Sequence, residues 1–173
     1  MVIKNNKVLQ SILYVVGYFL IVLSALSCGE RKYYEGFESF PDKNWYYDSL
    51  STFQFDIDET SKPYNVYFVL RNSLDYEFYN IYVKYYLKNQ EGKIERTGLS
   101  EFILMDSKTG KPFGDDGTPF GSGGAYLYDH KFMLLENYQF EKTGAYQLEF
   151  KQYMRLDTLA EVLGVGANLE KVE

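Results

Sequence analysis

Tyr79-Asn80-Ile81-Tyr82-Val83-Lys84-Tyr85-Tyr86-Leu87-Lys88 reads with a period of two. Tyr79, Ile81, Val83, Tyr85 and Leu87 fall on one side of this stretch, and Asn80, Tyr82, Lys84, Tyr86 and Lys88 on the other. A strand turns successive side chains to opposite faces, so the pattern specifies an antiparallel sheet with one wet face. Upstream, Phe53, Phe55 and Ile57 alternate with Gln54, Asp56 and Asp58; Val66, Phe68 and Leu70 alternate with Asn65, Tyr67 and Arg71. Downstream, Asn89-Gln90-Glu91-Gly92 reads as a hairpin turn into a strand over residues 94–105. A glycine-rich loop spans 106–124, and strand character returns over 125–135. After Lys142-Thr143-Gly144 the alternation turns Tyr146, Leu148, Phe150, Gln152 and Met154 inward and Gln147, Glu149, Lys151, Tyr153 and Arg155 outward. Gln152 interrupts that apolar face, which marks a satisfied core hydrogen bond or a slip in register. Residues 157–163 read as one helical turn with Asp157 as its N-cap, and 165–172 as a closing strand.

Composition agrees. Among 173 residues stand 18 Tyr and 13 Phe against one Trp, and flat aromatic bulk suits a pleated, half-buried surface. Seven or eight strands divided by turn signals specify an all-β fold, an antiparallel β-sandwich. No internal repeat is visible. The expected division is a signal peptide over 1–27, a lipidated tether over 28–50 that begins to pack near Trp45, and the sandwich over 51–173.

The leader carries the clearest address. Lys4 and Lys7 head an apolar run over residues 8–26, and Ala25-Leu26-Ser27-Cys28-Gly29 follows, then Glu30, Arg31 and Lys32. A basic head, a greasy middle and a small residue before the break make the layout of a secretory signal. Cys28, the only cysteine, stands where a diacylglyceryl group would be attached and the signal peptide cut away. Ala25 occupies the position where Leu is commonest, with Leu26 one step late. Two other readings stay open: an ordinary cleaved signal, and a single-pass anchor, since nineteen apolar-rich residues approach the roughly 20 that span a bilayer. Gly29 is not the Asp that commonly retains lipoproteins at the inner membrane, so an outer-membrane anchor facing the periplasm is expected.

All 24 acids lie beyond Cys28, while two of the 18 basic residues lie before it, so the exported part is more acidic than the chain's formal −6. Such a surface gains nothing from phosphate backbones, which excludes nucleic acid as a natural partner. Attachment to a membrane must come from something covalent or inserted, and the lipid anchor is the expected route.

Chemistry is sparse. His130 is the only histidine; it cannot build a multi-histidine metal site, and no nucleophile motif accompanies it. A plain hydrogen-bonding or surface role is expected. Carboxylates cluster at Asp56, Asp58 and Glu59 and at Asp115-Asp116. Oxygen-rich loops can hold Ca²⁺ and two acids can cleave a glycoside, but the alternating carboxylates of a dedicated calcium loop are missing. Solvated turn acids are the expected reading, with no metal, no cofactor and no enzymatic activity. An aromatic platform for sugars usually presents Trp, and Trp45 sits at the tether boundary, so glycan binding is the second reading. The first is a protein-contact face built from Tyr82, Lys84, Tyr86 and Tyr153, with Tyr67 also turned outward, because exposed Tyr is enriched where proteins meet.

The exported chain resembles the gliding-motility lipoproteins of the GldH type. The matching stretches are Phe53-Gln54-Phe55-Asp56-Ile57, residues 64–72, Tyr79-Asn80-Ile81-Tyr82-Val83, Gly110-Lys111-Pro112-Phe113-Gly114, Gly144-Ala145-Tyr146, residues 152–159 and residues 164–170. The resemblance implies an envelope lipoprotein, without catalysis, needed by a surface-gliding apparatus and tied to a dedicated protein-secretion system. Its implied partners are other lipoproteins of that apparatus. It carries over no binding-residue motif, and Cys28 is the one residue it assigns.

Overall fold

A computed structural model describes residues 32–116 and 126–172. The expected signal peptide, Cys28 and the 117–124 part of the glycine-rich loop lie outside the described residues. The chain runs β1 (Lys32–Ser39), β2 (Asn44–Tyr46), β3 (Ser51–Ile57), β4 (Tyr64–Ser73), β5 (Asn80–Asn89), β6 (Ile94–Ile103), β7 (Asp115–Asp116), β8 (Leu127–Tyr138), β9 (Gly144–Gln152), β10 (Thr158–Ala160) and β11 (Val162–Lys171). Eight are long strands and three have only two or three residues, which reconciles the expected seven or eight with eleven. β1-β11-β4-β8-β7 form one sheet, β3-β9-β5-β6 a second, and β2 with β10 a short ribbon. Neighbouring strands pair antiparallel throughout.

The sheets face each other across aromatic side chains. Phe68 of β4 meets Phe150 of β9 edge-on at 4.9 Å and stacks on Phe102 of β6 at 5.2 Å. Trp45 lies 6.3 Å from Phe68 and is wholly buried. At the other end Phe140 collects Tyr64, Tyr138, Phe55 and Tyr146. Rings in edge-to-face contact add about 0.5–1.5 kcal/mol per pair beyond their area burial, so the high Phe and Tyr content is the glue between layers.

Three expectations are corrected. Residues 32–46 are not tether: β1 pairs with β11 from Lys32↔Glu170 to Ser39↔Gly164, with one register shift between Lys32 and Tyr34, and β2 pairs with β10. The sandwich therefore begins at Lys32 rather than at residue 51. The polar-aromatic mix of β1 hid it, because an edge strand needs no clean apolar face. Tyr33 shows the advantage. Its hydroxyl donates to the Asp56 carbonyl (2.8 Å) and accepts from the Asp58 N–H (3.0 Å), occupying backbone groups at the open edge of β3. Residues 157–163 form no helical turn. Leu159 pairs opposite Trp45 and is buried with it, so β10 closes that ribbon, and the last strand begins at Val162. Tyr79, placed on the inner face by parity, precedes β5 and is half exposed.

β11 owes its place to glycine. A Cβ on Gly166 would stand 2.6 Å from the Gly36 carbonyl oxygen and 2.9 Å from the Phe37 ring. Phe37 lies over Gly164 and Gly166, and the Arg71 guanidinium covers the ring at 5.3 Å while pairing with both Asp129 oxygens (2.6 and 2.7 Å).

Candidate functional site

The outer face of the β3-β9-β5-β6 sheet brings the expected contact residues together. Val83, Tyr85 and Leu87 are buried, so Tyr82, Lys84, Tyr86 and Lys88 all turn outward and stay partly exposed. Register gives the rows: Glu101–Tyr82, Leu99–Lys84–Lys151, Thr97–Tyr86–Glu149–Thr52 and Ile94–Lys88–Gln147–Gln54. Past the end of β9 the chain grips Tyr82 from both sides. The Tyr153 N–H donates to the Tyr82 carbonyl (2.8 Å), and the Tyr82 N–H donates to the Met154 sulfur (3.1 Å). Tyr153 thus joins the β5 residues, and its ring stands 6.4 Å from that of Tyr47.

Parity alone did not reveal the neighbours. Tyr47, Leu99, Lys151 and Arg155 complete the surface: the Lys151 ammonium sits 3.9 Å above the Tyr47 ring, and Lys84 lies 5.7 Å from the Tyr86 ring. Leu99 exposes half its area directly opposite Lys84. Two shallow depressions flank Tyr153. One, of about 460 Å³, is lined by Tyr82, Leu99, Tyr153, Met154 and Arg155; the other, of about 340 Å³, by Tyr47, Tyr153, Arg155, Leu156 and Asp157. Arg155 lines both and has φ +60°, a conformation that costs an L side chain energy and recurs at functional surfaces. No local pattern announced that Tyr47 meets Lys151: it depends on β2 pairing with β10 and on the Tyr47 N–H donating to the Asp157 carbonyl (2.9 Å).

Acids on this face are engaged. Glu101 accepts from the Asn80 amide (2.6 Å) and the Tyr82 hydroxyl, and that second bond holds Tyr82 above the ordinary tyrosine range. Glu149 faces outward by parity, yet it is buried and pairs with Lys88 at 2.6 Å.

The remaining candidates take structural places. His130 is buried against Phe132, stacked at 5.5 Å, rather than on the surface. Gln152 is wholly buried with its amide satisfied: it donates to the Leu156 carbonyl (2.7 Å) and accepts from the Met154 N–H (2.9 Å). Tyr67 is half exposed on the opposite sheet under the Lys131 ammonium. Asp58 and Glu59 draw Lys171 to 2.9 and 3.4 Å. Asp106 organises its own turn, accepting from the N–H groups of Lys108 and Thr109, and the Thr109 bond leads in holding its carboxyl below the usual range. A depression of about 500 Å³ near the β5–β6 turn is lined by Gln54, Asn89, Gln90 and Gln147, but its rings, Phe55 and Tyr146, face inward. It offers amides without an exposed stacking surface.

Residues 32–169 match the family model described as GldH lipoprotein. The chain belongs to the GldH lipoprotein family. Membership implies anchoring to a membrane by a lipid. A gliding motility lipoprotein GldH homolog of Christiangramia forsetii is 29% identical over 160 residues, covering 88% of this chain and 91% of the relative. The gliding motility lipoprotein GldH of Flavobacterium johnsoniae is 24% identical over 176 residues and covers 98% of each chain. The VP2 subviral particle of infectious bursal disease virus aligns with a TM-score of 0.32 at 12% identity, over 82% of this chain and 34% of the viral one. At that score the likeness carries no argument. The GldH-family match begins where β1 begins, in keeping with a domain that starts at Lys32.

Proposed function

We propose that this GldH-family chain is a non-catalytic scaffold in a gliding-motility and linked protein-secretion apparatus of the cell envelope. It is held by lipid on Cys28 at the outer membrane, faces the periplasm, and works through contacts with other lipoproteins of that apparatus. Tyr82, Lys84, Tyr86 and Tyr153 gathered on one sheet face carry this reading. Amphipathic rings supply contact area at low cost in conformational entropy, which suits a protein partner. The relatives named for gliding motility support the setting.

The test replaces Tyr82 and Tyr86 together by Ser in the full-length lipidated chain. Both rings sit on the outer face, so circular dichroism should stay unchanged. Central interface aromatics are each worth about 2 kcal/mol or more, so recovery of motility lipoproteins with the outer-membrane-anchored chain should drop by roughly tenfold or more. Undiminished recovery from a folded double variant would refute this contact face.

A further inference from the structure

Resting on the contact-face reading, we propose that the face receives an acidic segment of its protein partner, with the carboxylates held by Lys84 and Lys151. The two lysines stand directly opposite each other across β5 and β9 and turn outward on the same face. Like charges in that position destabilise a sheet, so the pair carries a cost. Its own acids do not neutralise it. Glu149, one row away, is taken by Lys88, and Glu101 is taken by Asn80 and Tyr82. Among the described residues no carboxylate lies within ion-pair distance of Lys84, Lys151 or Arg155. What holds the lysines is aromatic: Lys151 over Tyr47 and Lys84 beside Tyr86. A cation on a ring face keeps its outer side available to an anion.

The surroundings choose a protein segment over a lipid headgroup. Exposed Leu99 extends the lysine row, while Tyr153 lies beside Tyr82 and Tyr47, so the cations are framed by surfaces that suit side chains. The chain's net charge of −6 opposes approach to an extended anionic surface, whereas a narrow acidic segment enters within the local field of the lysines.

Two variants of equal charge change separate the inference from general electrostatics: Lys84→Glu/Lys151→Glu on the face, and Lys93→Glu/Lys108→Glu at exposed positions in turns. The probe is a capped, fluorescent oligoglutamate peptide titrated by anisotropy against the full lipidated chain in neutral detergent. Wild type should bind it with an affinity that falls as salt rises. The face variant should lose roughly tenfold or more, and the turn variant about twofold or less. Equal losses in both variants, or no binding by folded wild type, would overturn the acidic-segment inference. In a second arm, wild type anchored in phosphatidylcholine vesicles should not tether phosphatidylglycerol vesicles. Tethering abolished by Lys84→Glu/Lys151→Glu would assign the pair to lipid and also overturn it. If Tyr82→Ser/Tyr86→Ser still weakens partner recovery, the contact face stands and only the chemistry of its ligand is wrong. If that double change is silent, the contact face itself falls.

Discussion

Phe150 buries its whole ring between Phe68 and Phe53, while Lys151, next in the chain, is partly exposed with its ammonium over Tyr47. Removing the Phe150 ring would empty the middle of the interlayer stack, and buried Phe→Ala changes cost about 3–5 kcal/mol. Lys151→Ala removes one partly exposed cation–ring contact and should cost under about 1 kcal/mol. Denaturant unfolding of the two variants checks the difference; equal losses would mean that the strand does not alternate as described. Most of this residue-level assignment was legible in the sequence, since Tyr146, Leu148, Phe150 and Gln152 share a parity and all four are buried. Glu149 was not. Parity turns it outward, and only Lys88, brought alongside by the β5–β9 register, explains a carboxylate with almost no exposure.

At the scale of elements, β11 lies between β1 and β4 and contains Gly164 and Gly166. A side chain at Gly166 would meet the backbone of β1, which belongs to a paired strand and cannot swing aside. Gly166→Ala should therefore destabilise by about 1–3 kcal/mol through overpacking. Hydrogen exchange should show the loss first in β1, the edge strand, with β4 still protected; uniform protection across β1, β11 and β4 would contradict it. The long alternating strands β3, β4, β5 and β9 were readable because each has one buried and one wet side. β1, β2 and β10 were not. They are short or mixed in polarity, and they are strands because β11 and each other supply hydrogen-bond partners that no local pattern announces.

For the molecule as a whole, tyrosines in and against the core couple stability to alkaline pH. Tyr64 is fully buried, donates its hydroxyl to the Glu59 carbonyl (2.8 Å), and is pushed by burial from 10.0 up to about 12. Tyr138, also raised by burial, reaches about 12. The folded state favours the neutral phenol in both. Their contribution is complete below the unfolded value near 10 and is lost as pH rises through the folded value near 12. For Tyr64 alone this is on the order of 2 kcal/mol. The melting temperature should therefore fall steeply between those limits, and Tyr64→Phe should flatten the fall. The same slope in the variant would show that other groups govern the alkaline limb.

The sequence by itself determined the all-β class, the parity of the long strands, and the resemblance to GldH-type lipoproteins. These are properties of local period and order along the chain, and the physics behind them acts within a few residues. Tertiary structure decided that the domain starts at Lys32, and that His130 is buried against Phe132. It also placed Tyr47, Leu99, Lys151 and Tyr153 around Tyr82 and Lys84. Each of those facts depends on which strands become neighbours and in what register. That choice is made by packing between distant segments: Phe68 against Phe150, Trp45 beside Phe68, Lys88 beside Glu149.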